Sequence, residues 1–337
     1  SIKARAVVWL FLFGVTAQAL AATSFQLVSG SDAGQPPPAG GSGDSCVPLL
    51  SPDGRLVLFA STANNLVLAT NGLPIPTLPA AVFNVYLRDR SNATTVLVSV
   101  NLTGTAGGKG DSLPSGISSD GRYALFESSA SDLVPGDTNG TSDIFLRDLV
   151  NGVTPLVSIS TNGGFGNGAS RSAVLTPDGH YVAFVSAANN LVVGDTNGIT
   201  DVFVRDLQAG ITTLASVGAI TTDFSTYTSS SDSPDITPDG RFVAFSSTAT
   251  NLVTGVQTVG DLYVRDLVAG TSCWASAYAR AALNSVTGQT NAVCFNHALS
   301  ADGRFVTYET SLSPLPSSSA SGIILRYDLH TGLTDLV

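Results

Sequence analysis

One unit, written five times, constrains this chain more than any other feature. Asp-Gly pairs stand at Asp53-Gly54, Asp120-Gly121, Asp178-Gly179, Asp239-Gly240 and Asp302-Gly303, about 60 residues apart. After each comes a short apolar segment: RLVLFAS, RYALFES, HYVAFVS, RFVAFSS and RFVTYET. About 30 residues further on stands a second, NVYLRD, DIFLRD, DVFVRD, DLYVRD or IILRYD, then a Gly-containing turn and a third, such as TTVLVSV or ITTLASV. A weaker fourth segment leads into the next Asp-Gly, as in SAVLTPDG and SPDITPDG.

Alternating Val, Phe, Tyr and Ile bounded by Gly, Pro, Asn and Asp are the marks of strands. No segment after residue 22 keeps a 3.6-residue period over three turns. Four strands per unit, none of whose sheets can bury both faces alone, predict an all-β fold, a β-propeller of four-stranded blades. Five repeats are visible, so the ring is five-bladed or these are part of a larger one. Residues 24–29 (SFQLVS) look like the outermost strand of a blade, suited to closing the ring by pairing into the last sheet. Residues 333–337 (LTDLV) compete for the same slot.

Lys3 and Arg5 precede an apolar run at 6–15 (AVVWLFLFGV), followed by Ala17-Gln18-Ala19-Leu20-Ala21. Charged start, short apolar stretch and A-x-A end predict a signal peptide over 1–21, with the propeller domain over 22–337. The run is too short for a membrane span, which takes about 20 apolar residues, so no transmembrane span is expected once the signal is removed. The expected location is periplasmic or secreted, in a bacterium. Only 12% of residues are charged, and 25 acidic against 15 basic residues give a net charge of −10. Nucleic acid is excluded as a partner, because it needs a basic patch.

The units (S/T)-(P/S/A)-D-G-(R/H)-φ-(V/A)-φ-(F/Y), then NLV or DLV, then D-φ-(F/Y)-φ-R-D-L, where φ is an apolar residue, resemble the WD-like (PD-repeat) propeller repeats of the TolB-like group. The resemblance covers residues 24–337. It implies a propeller and an exported bacterial protein. Members range from a periplasmic scaffold that binds other envelope proteins to propellers carried by prolyl-oligopeptidase-type peptidases.

The repeated residues read mainly as architecture. Asp-Gly after Pro or Ser is turn chemistry, since Gly takes the positive φ of a tight hairpin. The Arg-Asp pairs (Arg88-Asp89, Arg147-Asp148, Arg205-Asp206, Arg265-Asp266) are expected to make turn and inter-blade hydrogen bonds, with Arg326-Tyr327-Asp328 as the fifth variant.

A loop before the third strand looks more chemical. It reads Asp137-Thr-Asn139-Gly140-Thr-Ser-Asp143 in unit two and Asp195-Thr-Asn197-Gly198-Ile-Thr-Asp201 in unit three. Two carboxylates and an amide oxygen around a Gly turn are hard ligands of the kind Ca²⁺ takes. The same residues also suit an Asx-turn that needs no metal. Unit four keeps only Asp261, and unit one has a Pro-rich insertion at 73–79.

Catalytic patterns are missing: no G-x-S-x-G, no H-E-x-x-H, no Gly-rich phosphate loop, no C-x-x-C. His180 occupies the turn position of an Arg in the other units. His297 lies on the weak first strand of unit five, facing the axis, and His330 lies in a C-terminal turn. Of Cys46, Cys273 and Cys294, the pair Cys273–Cys294 is the disulfide candidate for an exported protein. Cys46 sits in a position similar to that of Cys294.

The sequence thus points to an exported, non-catalytic scaffold that binds a protein partner or other ligand in the envelope or outside the cell. Its loop face, with 73–79, 104–110 and 162–168, or its central channel would do the binding. The alternatives are a hydrolase or lyase with its site in the channel, and the regulatory propeller of a longer prolyl-oligopeptidase-like peptidase. No catalytic or cofactor-binding residue stands out, and calcium is the one metal suggested.

Overall fold

A computed structural model describes residue 28 and residues 41–67, 81–220, 230–256, 260–288, 292–311 and 322–337. The expected signal segment at 1–21 and the Pro-rich insertion at 73–79 lie outside the described residues.

Each repeat folds into one antiparallel meander. The first sheet runs β1 (Ser45–Leu50), β2 (Leu56–Ser61), β3 (Asn84–Asp89), β4 (Thr94–Leu97). The second has three strands, β5 (Ser112–Ile117), β6 (Tyr123–Ser128) and β7 (Asp143–Asp148). The third is β8 (Ser170–Leu175), β9 (Tyr181–Ser186), β10 (Asp201–Asp206), β11 (Ile211–Leu214). The fourth is β12 (Ser231–Ile236), β13 (Phe242–Ser247), β14 (Asp261–Asp266), β15 (Thr271–Trp274). A helix, α1 (Ala279–Thr287), precedes the fifth: β16 (Val293–Leu299), β17 (Phe305–Ser311), β18 (Ile323–Asp328), β19 (Thr334–Leu336). The arrangement is an all-β, five-bladed propeller-like stack. In the second sheet Pro155 stands where an outer strand would donate an amide, and only isolated bridges, Phe145 to Leu156 and Asp148 to Val153, remain.

The Asp-Gly turns fold identically. The hydroxyls of Ser51, Ser118, Thr176, Thr237 and Ser300 donate to Asp53, Asp120, Asp178, Asp239 and Asp302 at 2.5–2.6 Å. The same carboxylate accepts the N–H two residues on, as Asp120 does from Arg122 (2.9 Å), while Gly121 takes φ 73°. The next side chain then binds the strand-end Asp of its own sheet: Arg55–Asp89, Arg122–Asp148, Arg241–Asp266 and Arg304–Asp328, at 2.5–2.9 Å. His180 makes the equivalent contact to Asp206 at 3.0 Å.

The expected inter-blade role of the Arg-Asp pairs is therefore corrected. Their Asp is tied within its own sheet. Their Arg turns to the outer strand, as Arg147 does to Thr154 (2.9 Å) and Arg205 to Thr212 (3.0 Å). Adjacent strand residues face opposite ways, which is why the dipeptide splits.

The core lies between successive sheets. Leu58, Val85 and Leu87 meet Ala124, Phe126 and Phe145, and Leu125, Ile144 and Leu146 meet Val182, Phe184 and Phe203. The pattern repeats between the third and fourth sheets and between the fourth and fifth. Among the described residues no hydrophobic cluster joins the first sheet to the fifth. Val28 packs on Phe59, Ala63, Leu66 and Tyr86 of the first sheet, while the rest of the segment expected to close the ring, 24–27 and 29, lies outside the described residues. The outermost slot of the fifth sheet is filled by β19, from the C-terminal segment.

The outward face of that sheet carries Arg326 where the earlier sheets place Leu87, Leu146, Val204 and Val264. Its guanidinium binds Asp335 (2.6 Å) and lies 4.7 Å over Phe305.

Candidate functional site

Two regions gather chemistry: the start of each third strand, at the end of the stack that carries the long loops, and the axial edge. At the first, a serine of the outer segment accepts the second amide of the strand and donates to the residue before it. Ile144 N–H reaches Ser158 Oγ (3.1 Å), and Ser158 Oγ donates to Asp143 Oδ1 (2.7 Å). Ser216 serves Val202 and Asp201 in the same way, Ser276 serves Leu262 and Asp261, and Ser99 serves Val85 and Asn84. Asp143, Asp201 and Asp261 have no solvent exposure at all.

The loop residues singled out from sequence converge on these carboxylates. Asn139 Nδ2 donates to Asp143 Oδ2 (2.7 Å) and to the Gly166 carbonyl (3.1 Å), while its Oδ1 accepts Thr141 N–H (3.0 Å). Asn197 does the same with Asp201 (2.6 Å), the Ala219 carbonyl (2.9 Å) and Ile199 N–H (3.1 Å). Asp137 and Asp195 are buried in the same loops. Burial, and the neighbouring Asp137 or Asp195, push the carboxyls of Asp143 and Asp201 up to about 6. In unit four the partner is Arg280 of α1, with Nη1 3.1 Å from Asp261 Oδ1. Sequence reading found no helix here because nine residues fall short of three turns; Ala-rich composition and a left-handed Gly288 (φ 73°) form and end it.

At the axis, the first strands of consecutive sheets lie side by side. All five are bulged at one register. Val47, Ser172, Ser233 and Asn296 take φ between 49° and 54° there, a left-handed conformation that costs a non-glycine residue about 1–3 kcal/mol. Pro114, whose ring forbids it, is the fifth counterpart.

Charged side chains tie the blades across these bulges. Ser172 N–H donates to Glu127 Oε2 (3.1 Å), Arg171 grips Asp232 through two nitrogens (2.9 and 2.6 Å), and Leu299 N–H donates to Asp235 Oδ2 (2.7 Å). His297 reaches this edge as its position suggested. Desolvation lowers its pKa, opposed by Asp235 and by the carbonyls of Ala244 and Ser233, so the ring is neutral at neutral pH. Glu127, Arg171, Asp232, Asp235 and Glu309 were not singled out from sequence. The available signal was a pair of opposite charges at one repeat position, Arg171 and Asp232, and a Glu inside an otherwise apolar strand in RYALFES and RFVTYET. Among the described residues no three His, Cys, Asp or Glu side chains are grouped to hold a metal.

The thiols do not form the expected disulfide; all three are free. Cys273 is on the outer strand β15 and Cys294 on the innermost strand β16 of the next sheet. Strands about 4.8 Å apart put those edges well beyond the roughly 7 Å that a disulfide spans. Cys294 pairs with Thr310 where the other units place two serines, Ser112 and Ser128 for example; Cys46, opposite Ala60, sits one residue further on. The similarity expected between Cys46 and Cys294 is off by that residue. Cys273 borders a cleft of about 820 Å³ between Arg241, Asp266, Arg304 and His330, on the far side from the long loops. Burial raises its pKa, so it is a neutral thiol, and the cleft's guanidiniums are held by Asp266 and Asp328.

No protein family of known signature matches the chain, and no curated protein matches it. Among solved structures it is similar to a TolB candidate from Agrobacterium tumefaciens, at 15% identity over 88% of this chain and 82% of that one, with a TM-score of 0.45. It is also similar to an oligogalacturonate lyase in complex with manganese (13%, 85% and 63%, TM-score 0.47) and to the β-propeller domain of the Trilobed protease from Pyrococcus furiosus (12%, 89% and 72%, TM-score 0.46). Likeness at this identity concerns the path of the chain and transfers no residue role.

Proposed function

We propose that this chain is a non-catalytic propeller scaffold that binds a protein partner through the face carrying its long loops. One observation carries the reading: among the described residues, the charged groups on the first strands and beside them at the axis are committed to the fold. Glu127 holds a bulge amide, Arg171 and Asp232 hold each other, Asp235 holds Leu299 N–H, and Asn296 Nδ2 donates to Glu309 (3.2 Å). A general base or nucleophile has to be open to a reacting atom, and these groups are spent on contacts between blades or, for Glu309, within its own. The long-loop face, by contrast, presents Leu102, Ile220, Tyr278 and Val193, the last 93% exposed, on loops held by the blades beneath. Aliphatic and aromatic groups on a firm frame are what a partner buries. No helix among the described residues is long and apolar enough to cross a membrane.

Capture from an envelope extract of the source organism tests this. The wild-type chain and a Val150→Asp variant, altered on the opposite face, retain the same protein, whereas Val193→Asp with Tyr278→Asp loses it. Capture that survives the loop-face change, or no capture by the wild type, contradicts the reading.

A second reading, a hydrolase or lyase in the channel, has one observation in its favour: a neutral His297 beside Asp235 at the axis. Turnover of ester, peptide or uronide substrates that disappears in His297→Gln would establish it.

A further inference from the structure

Three of the five units open their third strand with a fully buried carboxylate: Asp143, Asp201 and Asp261. The other two place a neutral residue at that register, Asn84 opposite Ser61 and Ile323 opposite Thr310. In unit four the chain itself supplies a cation, Arg280, and that same unit has lost the D-x-N-G spacing before its Asp. Units two and three keep the spacing, and their carboxylates are met by the neutral donors Ser158 and Asn139, or Ser216 and Asn197. What the loop adds there is a second buried acid rather than a base. Asp195 is only 7% exposed, and its Oδ1, out of reach of solvent, accepts no hydrogen bond. Two adjoining buried carboxylates with neutral donors are costly, because neither solvent nor a countercharge compensates them.

We propose that these loops are calcium sites, with Asp195, Asn197 and Asp201 holding one ion and Asp137, Asn139 and Asp143 a second. The groups offered are hard oxygens on a short loop with a Gly turn, the chemistry that suits Ca²⁺. In unit three they are the two carboxylates, the Asn197 carboxamide and the Ala219 carbonyl; in unit two the Gly166 carbonyl takes the last place. The Asn197 carboxamide already stands between Asp201 Oδ2 and the Ala219 carbonyl. Half a rotation about its terminal bond would bring its own oxygen to face the same point, giving up the bond it now accepts from Ile199 N–H. Calcium and Arg280 then answer one need, a positive charge at the head of the third strand, by two routes.

The test uses the full chain, stripped with EDTA, equilibrated with calcium and assayed for bound metal and melting midpoint. Two ions per chain are expected, with a rise of roughly 5 °C in the midpoint at millimolar calcium. Asp195→Asn keeps one ion, and Asp137→Asn with Asp195→Asn keeps none and no longer responds. A single ion in the wild type that Asp195→Asn removes also supports the assignment for unit three. Should the double variant fold poorly, the metal count on the unaltered chain decides. No bound calcium and a midpoint indifferent to calcium and EDTA overturn the proposal, as does calcium retained in full by a folded double variant.

Discussion

Units three and four solve one problem with different residues. Both start the third strand with a buried Asp whose carboxylate accepts a serine hydroxyl, Ser216 or Ser276. Unit four answers the charge with Arg280, carried in by a helix that no other unit has among the described residues, and dispenses with the loop motif. Unit three keeps the motif, adds Asp195, and meets Asp201 with Ser216 and Asn197 in place of an Arg. The difference teaches that where a unit keeps the buried Asp, the means of answering its charge is free to vary with the neighbouring loops. Unit one shows the third option, an uncharged Asn84, which accepts Ser99 Oγ at 2.9 Å.

Removing the cation from unit four should break the comparison most severely. Arg280→Ala leaves Asp261 buried without its charge partner, and a loss of about 3 kcal/mol is expected in urea unfolding. Adding Asp261→Asn should restore more than half of that loss. Full stability in Arg280→Ala alone would mean that the pair is idle. Next in size, Ser216→Ala strands a strand amide and one carboxylate oxygen, at about 1–3 kcal/mol, and the same change at Ser99, beside a neutral Asn84, should cost less. Equal losses would show that charge plays no part in the slot.

Arg122→Ala, at the exposed end of the blade, should change stability by less than about 1 kcal/mol at neutral pH. Its effect should vanish in acid. Arg122 holds Asp148 well below the usual carboxylate range, so this stabilisation is present above about pH 4 and fades as pH falls further.

Much of the fold was legible because turn chemistry is local. Asp120 needs only Ser118 and Arg122 to set its hairpin, and all three lie within five residues. The apolar runs in RYALFES and DIFLRD likewise mark strands buried on both faces, Phe126 and Phe145 toward the first sheet and Leu125 and Leu146 toward the third. What stayed hidden depends on the packing of one blade against the next. The Arg171–Asp232 pair joins residues 61 apart in sequence, and the bulges that aim them leave no local signature beyond a missing side-chain alternation. Arg280 was illegible for a related reason: it serves Asp261 from a nine-residue helix. The loops at 137–143 and 195–201 were read as either metal ligands or Asx-turns. The Asn139 and Asn197 contacts show the Asx-turn, and the burial of Asp195 supplies the motive for the metal.

The central claim, that buried aspartates in units two and three call for a positive charge, meets its most direct test in the pH dependence of melting with and without calcium. The carboxyls of Asp143 and Asp201 titrate near 6 in the folded chain and near 4 when unfolded, so the folded state holds more protons between those values. Their contribution is full below about pH 4 and is lost as pH rises through 6. In EDTA the midpoint of the wild-type chain should therefore fall between pH 5.0 and pH 7.5, and millimolar calcium should abolish or reverse that fall. A midpoint that is flat across this range in EDTA, or one that falls equally in calcium, would contradict the account.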